Sequence, residues 1–272
     1  MADDRIFVII GGGQSGGWTA KTLRSEGFLG RILLIADEPY IPHERPPLSK
    51  EVLLGDQPPE STYLWPAELY DELNIELRLG MQATHISLAE HTIEIDGGES
   101  IPYHRLMIAT GARVRRLPVT GAELAGVHYL RSIRDTEAIR ADLRAGSRVL
   151  VVGGGWIGLE VASAAIRLGN QVTVVETLTQ LCGRALTPDI ADWILALHRS
   201  HGVDVRLETS VERFEGDGRI ARAALSDGTS IEADLAVIGI GVVPNVEIAA
   251  EAGLEIDNGI VVDALGRTSD SD

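Results

Sequence analysis

The chain has 272 residues and a formal net charge of −16, which argues against general nucleic-acid binding and against docking on anionic membranes, because both depend on Lys and Arg. Its apolar fraction of 44% is that of a globular protein, and its length suffices for two domains. The single cysteine, Cys182, excludes an internal disulfide and a redox-active dithiol. The acidic first residues do not resemble a signal peptide, and the apolar stretch 235–243 is too short to span a bilayer. We therefore expect a cytoplasmic protein.

The first part of the chain predicts a strand–helix–strand unit followed by shorter strands. An apolar run predicts a strand over 5–10, helical spacing predicts a helix over 14–26, and a second apolar run predicts a strand over 31–35. A proline-rich segment then leads to a short helix that begins near Leu48. Four further strands are predicted at 75–79, 83–88, 91–95 and 105–108, with a turn at Asp96-Gly97-Gly98 between the last two.

A helix over 132–145 precedes a second copy of the same unit. This copy has a strand at 148–152, a helix over about 156–168 and a strand at 171–175. Thr187-Pro188 predicts the start of another helix, since Thr is a good N-cap and Pro is favoured at the first helical position. Further strands are predicted near 203–208, 210–215, 219–225 and 235–240, and a hairpin is predicted with strands 254–256 and 260–262.

Each unit has a glycine-rich turn directly after its first strand, and both turns fit the pattern G-x-G-x-x-G. In the first turn, Gly11 permits a tight bend, Gly13 lets the backbone approach a pyrophosphate, and Gly16 lets the helix pack on the strand. The free N–H groups at the start of the helix favour the phosphate charge. In the second turn the same roles fall to Gly153, Gly155 and Gly158. One such turn is a weak signal, but two in the same context predict two dinucleotide sites.

An acidic residue follows the second strand of each unit, about twenty residues after the glycine turn. Asp37 in the first unit and Glu176 in the second can accept hydrogen bonds from an adenosine ribose. The Glu176 carboxylate favours a ribose 2′-hydroxyl and repels a 2′-phosphate, which predicts NADH rather than NADPH. Arg184 either contacts the adenosine region or is an ordinary surface arginine, and the residues leave both interpretations open.

Two further segments with glycine end apolar strands, one after each dinucleotide unit. They are Ala109-Thr110-Gly111 and Gly239-Ile240-Gly241. Either alone is typical of an ordinary strand-to-loop connection. Their parallel placement indicates that both contact a bound cofactor.

Two longer strings carry a resemblance to a known family. Residues 44–50 read ERPPLSK, and residues 238–245 read IGIGVVPN. Together with the two glycine turns, they make the chain similar to the FAD-dependent, NADH-using ferredoxin reductases of bacterial ring-hydroxylating dioxygenase and cytochrome P450 systems. The resemblance extends from Ile6 to Asp270. It implies FAD on the first glycine turn, NADH on the second, and a [2Fe–2S] ferredoxin as the partner.

The resemblance also implies roles for individual residues. Asp37, Arg45 and Lys50 are expected to contact FAD, with Lys50 beside the flavin ring and paired with Glu160. A buried ammonium needs such a carboxylate partner, and a cation near the ring favours its electron-rich reduced form. Without the resemblance, Lys50 and Glu160 are more simply read as solvated helix-surface residues. The remaining predicted cofactor-binding residues are Ser15, Ala83, Arg131 and Ile157.

The sequence ends where the second FAD segment of similar proteins begins. In those proteins the segment leads to a Gly-Asp pair and a helix N-terminus that faces the flavin, and a further C-terminal domain covers the flavin. We therefore expect weak or absent FAD binding by the 272-residue chain. This expectation keeps open a nucleotide-binding role without turnover, like that of the redox-sensing relatives of apoptosis-inducing factor.

The expected fold is α/β, with two Rossmann-like domains, the NAD domain inserted in the FAD domain, and the C-terminal interface domain missing. The predicted domains are an FAD-binding domain at 1–112, an NAD-binding domain at 113–244 and a return to the FAD domain at 245–272. The expected activity is that of an NADH:ferredoxin oxidoreductase, with Lys50 and Glu160 as its catalytic residues and no metal. The alternative acceptor is rubredoxin or another small electron carrier.

Overall fold

The computed structural model describes residues 3–272, which form two compact units. The first unit contains the residues up to Glu44 together with Thr62–Arg113 and Pro244–Asp272, and the second contains Arg45–Ser61 and Val114–Val243. Each unit has a parallel sheet with helices, so the expected α/β class with two Rossmann-like units is confirmed. Which cofactor each domain binds, and the predicted domain limits, stay predictions. Among residues 3–272, no helix combines the length and the apolar character needed to cross a membrane.

Strands alternate with helices around each glycine-rich turn, and runs of consecutive strands follow. The strands are β1 (Ile6–Ile10), β2 (Arg31–Ala36), β3 (Ile75–Leu79), β4 (Ala83–Ser87), β5 (Thr92–Ile95), β6 (Ser100–Pro102), β7 (Arg105–Ile108), β8 (Ala112–Val114), β9 (Val127–Tyr129), β10 (Arg148–Val152), β11 (Gln171–Val175), β12 (Asp204–Arg206), β13 (Val211–Glu215), β14 (Arg222–Leu225), β15 (Ser230–Glu232), β16 (Leu235–Ile238) and β17 (Val242–Pro244). The α-helices are α1 (Gln14–Ser25), α2 (Glu51–Leu54), α3 (Ala67–Glu72), α4 (Ile133–Asp142), α5 (Trp156–Arg167), α6 (Pro188–Ser200) and α7 (Glu247–Glu251), and short 3₁₀ helices lie at Pro46–Ser49 and Pro59–Thr62. The runs of consecutive strands are β3 to β9 and β12 to β17.

The first unit is built on a four-stranded parallel sheet in the order β3-β2-β1-β7. The residues of β2 from Ile32 to Ala36 are all buried, as expected for a parallel strand that is covered on both faces. A second, antiparallel sheet of β4, β5 and β6 contributes Ile86 and Ile93 to the same core. Ile248 and Ala252, from α7 and the residue after it, pack against this core.

The second unit repeats the arrangement with a five-stranded parallel sheet in the order β12-β11-β10-β16-β9. An antiparallel sheet of β13, β14 and β15 supplies Phe214 and Leu225 to a core shared with Leu150 and Val175. In each unit the strand before the glycine-rich turn, β1 or β10, lies between the next strand of its own unit, β2 or β11, and a strand from much later in the chain, β7 or β16. The carboxyl end of such a strand is the usual ligand-binding position in an open α/β sheet.

Arg24, in the last turn of α1, forms hydrogen bonds with neighbouring segments of the first unit. The Arg24 guanidinium donates hydrogen bonds of 2.7 Å to four backbone carbonyls, those of Phe28, Gly30, Leu73 and Asn74. Burial lowers the pKa of Arg24. These bonds tie the helix to the segments that lead into β2 and β3.

The structure differs from the predicted elements in several places, among them four short strands that were not predicted, β8, β9, β15 and β17. The turn at 96–98 leads into β6, which pairs with β5, rather than directly into β7. Two short helices, α3 and α7, were not predicted because five or six residues carry too little periodicity. The predicted hairpin strands 254–256 and 260–262 were wrong, since only one bridge, between Ile256 and Ile260, forms there.

Candidate functional site

The first glycine turn joins β1 to α1 at the carboxyl end of the central strand. Gly11 has a φ of +125°, and a Cβ added to it would lie 2.0 Å from the carbonyl oxygen of Ala109. A Cβ on Gly16 would lie 2.0 Å from the carbonyl oxygen of Gly11. Gly13, the N-cap of α1, has no atom within 4 Å of such a position. Two glycines are therefore required by the fold, whereas Gly13 borders open space.

The second glycine turn repeats this geometry between β10 and α5. Gly153 has a φ of +107°, and its added Cβ would lie 2.5 Å from the carbonyl oxygen of Gly239. A Cβ on Gly158 would lie 2.0 Å from the carbonyl oxygen of Gly153, and Gly155 again borders open space. Both turns thus fit a pyrophosphate, because a glycine without a side chain leaves the backbone N–H groups at a helix start accessible to it.

The two strand-end segments lie against these turns, one in each unit. The contacts of Gly11 with Ala109 and of Gly153 with Gly239 place each segment beside its glycine turn. Gly241 has a φ of +106° and is exposed, while Ile240 is half-buried.

Asn245 holds the segment Ala109-Thr110-Gly111 in place, and the sequence analysis assigned it no role. The hydroxyl of Thr110 donates to the carbonyl oxygen of Asn245 at 2.6 Å, and the Asn245 amide donates to the carbonyl oxygen of Thr110 at 2.9 Å. The backbone N–H of Asn245 also donates to the carbonyl oxygen of Gly111 at 3.0 Å. Asn245 lies in the IGIGVVPN string, which is the signal that could have identified it.

The two acidic residues differ in how the structure holds them. Asp37 follows β2 and is exposed. Glu176 follows β11, and its carboxylate accepts the N–H groups of Gly154 at 2.7 Å and Leu178 at 2.8 Å. These bonds orient the Glu176 carboxylate at the edge of the second glycine turn, where a ribose hydroxyl would reach it.

Cys182 lies behind the second glycine turn. Its N–H donates to the carbonyl oxygen of Gly154 at 2.9 Å, and its side chain is buried. Burial, with a smaller contribution from the Glu176 charge, raises the pKa of the Cys182 thiol. A buried thiol with a raised pKa is a poor nucleophile.

The other predicted cofactor-binding residues are spread over both units. Ser15 and Ile157 are exposed in the first turns of α1 and α5. Ala83 is buried at the start of β4. Arg184 is exposed in the loop before α6, so both interpretations of it stay open.

Residues 45–50 of the ERPPLSK segment belong to the second unit, where they face α5 across a cleft of about 260 Å³. The Arg45 guanidinium donates to the carbonyl oxygen of Arg131 at 2.8 Å. The Lys50 ammonium lies 2.8 Å from Glu160 Oε2, and it also donates to the carbonyl oxygen of Pro46 at 3.0 Å. The structure therefore brings together four residues that the sequence predicted to act around the flavin, although the roles themselves stay predictions.

Ser49 is a member of this cluster that the sequence did not single out. Its hydroxyl donates to Glu160 Oε2 at 2.5 Å. The two residues are 111 positions apart in the sequence, so their contact has no local signal. Within residues 3–272, no group of three or more His, Cys, Asp or Glu side chains is arranged to hold a metal ion.

Comparisons with known proteins agree on one family. The family profile described as pyridine nucleotide-disulphide oxidoreductase matches residues 6–272. Rhodocoxin reductase of Rhodococcus erythropolis is 46% identical over 97% of the chain, which spans 62% of that protein. Rubredoxin-NAD(+) reductase of Pseudomonas putida is 40% identical over 97% of the chain, which spans 69% of that protein. The putidaredoxin reductase in a covalent complex with putidaredoxin has a TM-score of 0.96 and 40% identity over the whole chain, which covers 66% of it.

Proposed function

Because the chain belongs to the pyridine nucleotide-disulphide oxidoreductase family, we propose that it passes electrons from NADH through FAD to a [2Fe–2S] ferredoxin of an oxygenase system. The observation that carries the proposal is the duplicated glycine turn. A Cβ added to Gly16 or to Gly158 would lie 2.0 Å from a backbone carbonyl oxygen, while Gly13 and Gly155 each border open space. A chain with two such turns is suited to hold two dinucleotides, of which one reduces the other.

The first turn, with Asp37 and the segment Ala109-Thr110-Gly111, is proposed to bind the adenosine and pyrophosphate of FAD. Arg45, Lys50 and Arg131 are proposed to act on its ring portion. When bound, FAD accepts a hydride and releases single electrons. The Lys50 ammonium, held by Glu160 at 2.8 Å, would stabilise negative charge on the ring. Ser15 and Ala83 are proposed to line the same cofactor.

The second turn is proposed to bind NADH, with Glu176 selecting it over NADPH. The Glu176 carboxylate is already oriented by two backbone N–H groups, so it can accept a ribose hydroxyl without reorganisation. The same charge repels a 2′-phosphate. Ile157, Arg184 and the segment Gly239-Ile240-Gly241 complete the proposed NADH site.

The acceptor is proposed from the relatives' names and not from a docking surface. The name of the benzene 1,2-dioxygenase system ferredoxin–NAD(+) reductase subunit of Pseudomonas putida favours a ferredoxin as the partner. Rubredoxin-NAD(+) reductase keeps rubredoxin as the second candidate. A steady-state assay with a [2Fe–2S] ferredoxin, a rubredoxin and ferricyanide separates these, and a strong preference for rubredoxin would overturn the ferredoxin assignment.

The central experiment is an anaerobic titration with NADH in an excess of added FAD, which occupies a weak site as well as a strong one. We expect the absorption band of oxidised flavin to bleach, and we expect NADPH to be much less effective. Calorimetry with NAD⁺ and with FAD, each alone, tests the two sites separately. Persistence of the flavin band with both cofactors bound would favour the nucleotide-binding role without turnover. Binding of neither compound would overturn the proposal.

A cytoplasmic location is part of the same proposal. Its support is Cys182, which is the only cysteine and is a free, buried thiol. Disulfide-poor chains are typical of reducing compartments. Cell fractionation tests this location, and finding the protein in an oxidising compartment would contradict it.

A further inference from the structure

We propose that Ser49 is a positioning residue that holds the Glu160 carboxylate in place for Lys50. The kinetic consequences of this inference rest on the proposed function. The contact itself does not depend on any cofactor, so it can be tested independently.

The hydrogen of the Ser49 hydroxyl is directed at Glu160. The Ser49 side chain is buried, and its Oγ lies 2.5 Å from Glu160 Oε2 and 3.3 Å from the carbonyl oxygen of Pro46. A hydroxyl has one proton to donate. A charged acceptor at the shorter distance is the stronger partner, so Glu160 takes that proton.

The same carboxylate oxygen also holds Lys50. Lys50 Nζ lies 2.8 Å from Glu160 Oε2 and donates to the carbonyl oxygen of Pro46 at 3.0 Å. Glu160 Oε2 therefore receives two donors, one buried and neutral and one charged.

Ser49 compensates for the exposure of the ion pair. The Lys50 and Glu160 side chains are 40% and 29% exposed. Exposed pairs of long side chains contribute little on their own, because fixing both chains costs entropy and water screens the charges. A buried hydroxyl that fixes the carboxylate removes part of that entropy cost. Without it, we expect Lys50 to spend much of its time away from Glu160.

The lysine content of the chain makes this prediction directly measurable. The chain has two lysines, Lys50 and Lys21. Lys21 lies over the Trp65 ring in the first unit and serves as an internal reference. Purified protein is treated with a trace of acetic anhydride, and mass spectrometry gives the ratio of acetylation at Lys50 to acetylation at Lys21.

We expect Ser49→Ala to raise this ratio about fivefold, because a typical net hydrogen bond is worth that factor. Ser49→Thr keeps the hydroxyl and should give the wild-type ratio. Ser163→Ala is the matched control, since Ser163 is an exposed serine one turn further along α5, and it should change nothing. An unchanged ratio in Ser49→Ala would overturn the inference.

A second set of variants separates positioning from packing. Ser49→Cys keeps the volume but loses the strong donor, so positioning predicts that it behaves like Ser49→Ala. A wild-type ratio in Ser49→Cys would show that Ser49 only fills space. Urea unfolding of each variant identifies any whose labelling rises because the protein is unstable. If Ser49→Ala is one of these, Ser49→Cys decides whether Ser49 positions Glu160 or only fills space.

The kinetic test uses the FAD-loaded protein and a double-mutant cycle. Ser49→Ala should lower kcat for NADH oxidation with little change in KM for NADH. In a Glu160→Gln background, Ser49→Ala should have no further effect, because it acts through Glu160. Independent, multiplicative losses would overturn the inference. If wild-type protein does not oxidise NADH but the labelling ratio responds as expected, the proposed function fails while the Ser49 contact stands.

Discussion

Alanine substitutions at two glycines of the second glycine turn should separate an effect on folding from an effect on nucleotide binding. Gly155 and Gly158 lie three residues apart in the second glycine turn, but they have opposite surroundings. A methyl group at Gly155 meets no atom within 4 Å, and the φ of −83° there suits any residue. A methyl group at Gly158 would lie 2.0 Å from the carbonyl oxygen of Gly153, so the backbone must move.

The expected magnitudes follow from these distances. Gly158→Ala overpacks the turn and should lower the free energy of unfolding by about 1–3 kcal/mol or more. Gly155→Ala only replaces one N-cap residue by a poorer one, which costs below about 1 kcal/mol. Its methyl, however, occupies the space proposed for the NADH pyrophosphate. A comparable overpacking penalty in the complex would weaken binding about 10- to 100-fold.

Urea unfolding and calorimetric titration with NAD⁺ measure the two effects. Gly13→Ala is the matched control, because Gly13 has the same open surroundings in the first turn. It should leave the affinity for NAD⁺ unchanged and weaken FAD binding instead. Wild-type affinity for NAD⁺ in Gly155→Ala would refute the assignment of the second turn. Equal destabilisation by Gly155→Ala and Gly158→Ala would refute the reading of their surroundings.

Three other predictions concern charged groups. Arg24→Lys should lower the free energy of unfolding by about 2–3 kcal/mol in a urea titration, because an ammonium cannot reproduce a planar fork that reaches four carbonyls, and NAD⁺ affinity should not change. The hydrogen bond from Arg148 lowers the pKa of Asp234, so its stabilising contribution is complete above the unfolded-state pKa and is lost as pH falls through the folded-state pKa. Asp234→Asn should therefore flatten the dependence of the free energy of unfolding on pH below about 4. An unchanged pH dependence in that range would contradict this. Glu176→Gln should raise kcat/KM for NADPH relative to NADH about fivefold or more, because removing one charge near a phosphate is worth about 1 kcal/mol or more. An unchanged ratio would show that Glu176 does not select the nucleotide.

The parts of the site that depend on backbone conformation were predictable from the sequence. Gly11 and Gly153 adopt left-handed φ values that glycine tolerates best, and each follows a continuous apolar strand. This combination predicted both turns and both parallel sheets. The strand ends beside the turns followed from the same logic, since the carboxyl ends of neighbouring parallel strands meet at one edge.

The contacts between distant side chains could not be predicted in this way. The bond from Ser49 to Glu160 joins the 3₁₀ helix Pro46–Ser49 to α5, and the bonds between Thr110 and Asn245 span 135 positions. Neither of these contacts leaves a periodic pattern in the sequence from which it could be predicted. The hairpin predicted at 254–262 was wrong for the opposite reason: its turn residues are present, but apart from Leu254 its strand positions are only partly buried or are exposed. Val262, for example, is 51% exposed.

The division of the first unit into three stretches of chain has a consequence for synthesis on the ribosome. Every residue of the second unit has been made by Val243, whereas the first unit still waits for Pro244–Asp272. Until α7 emerges, Ile248 and Ala252 cannot cover the apolar side chains of β4 and β5. During this interval the nascent chain exposes a hydrophobic surface on its first unit, although every residue of its second unit has been synthesised. Chaperones that bind nascent chains should therefore be needed most in this interval.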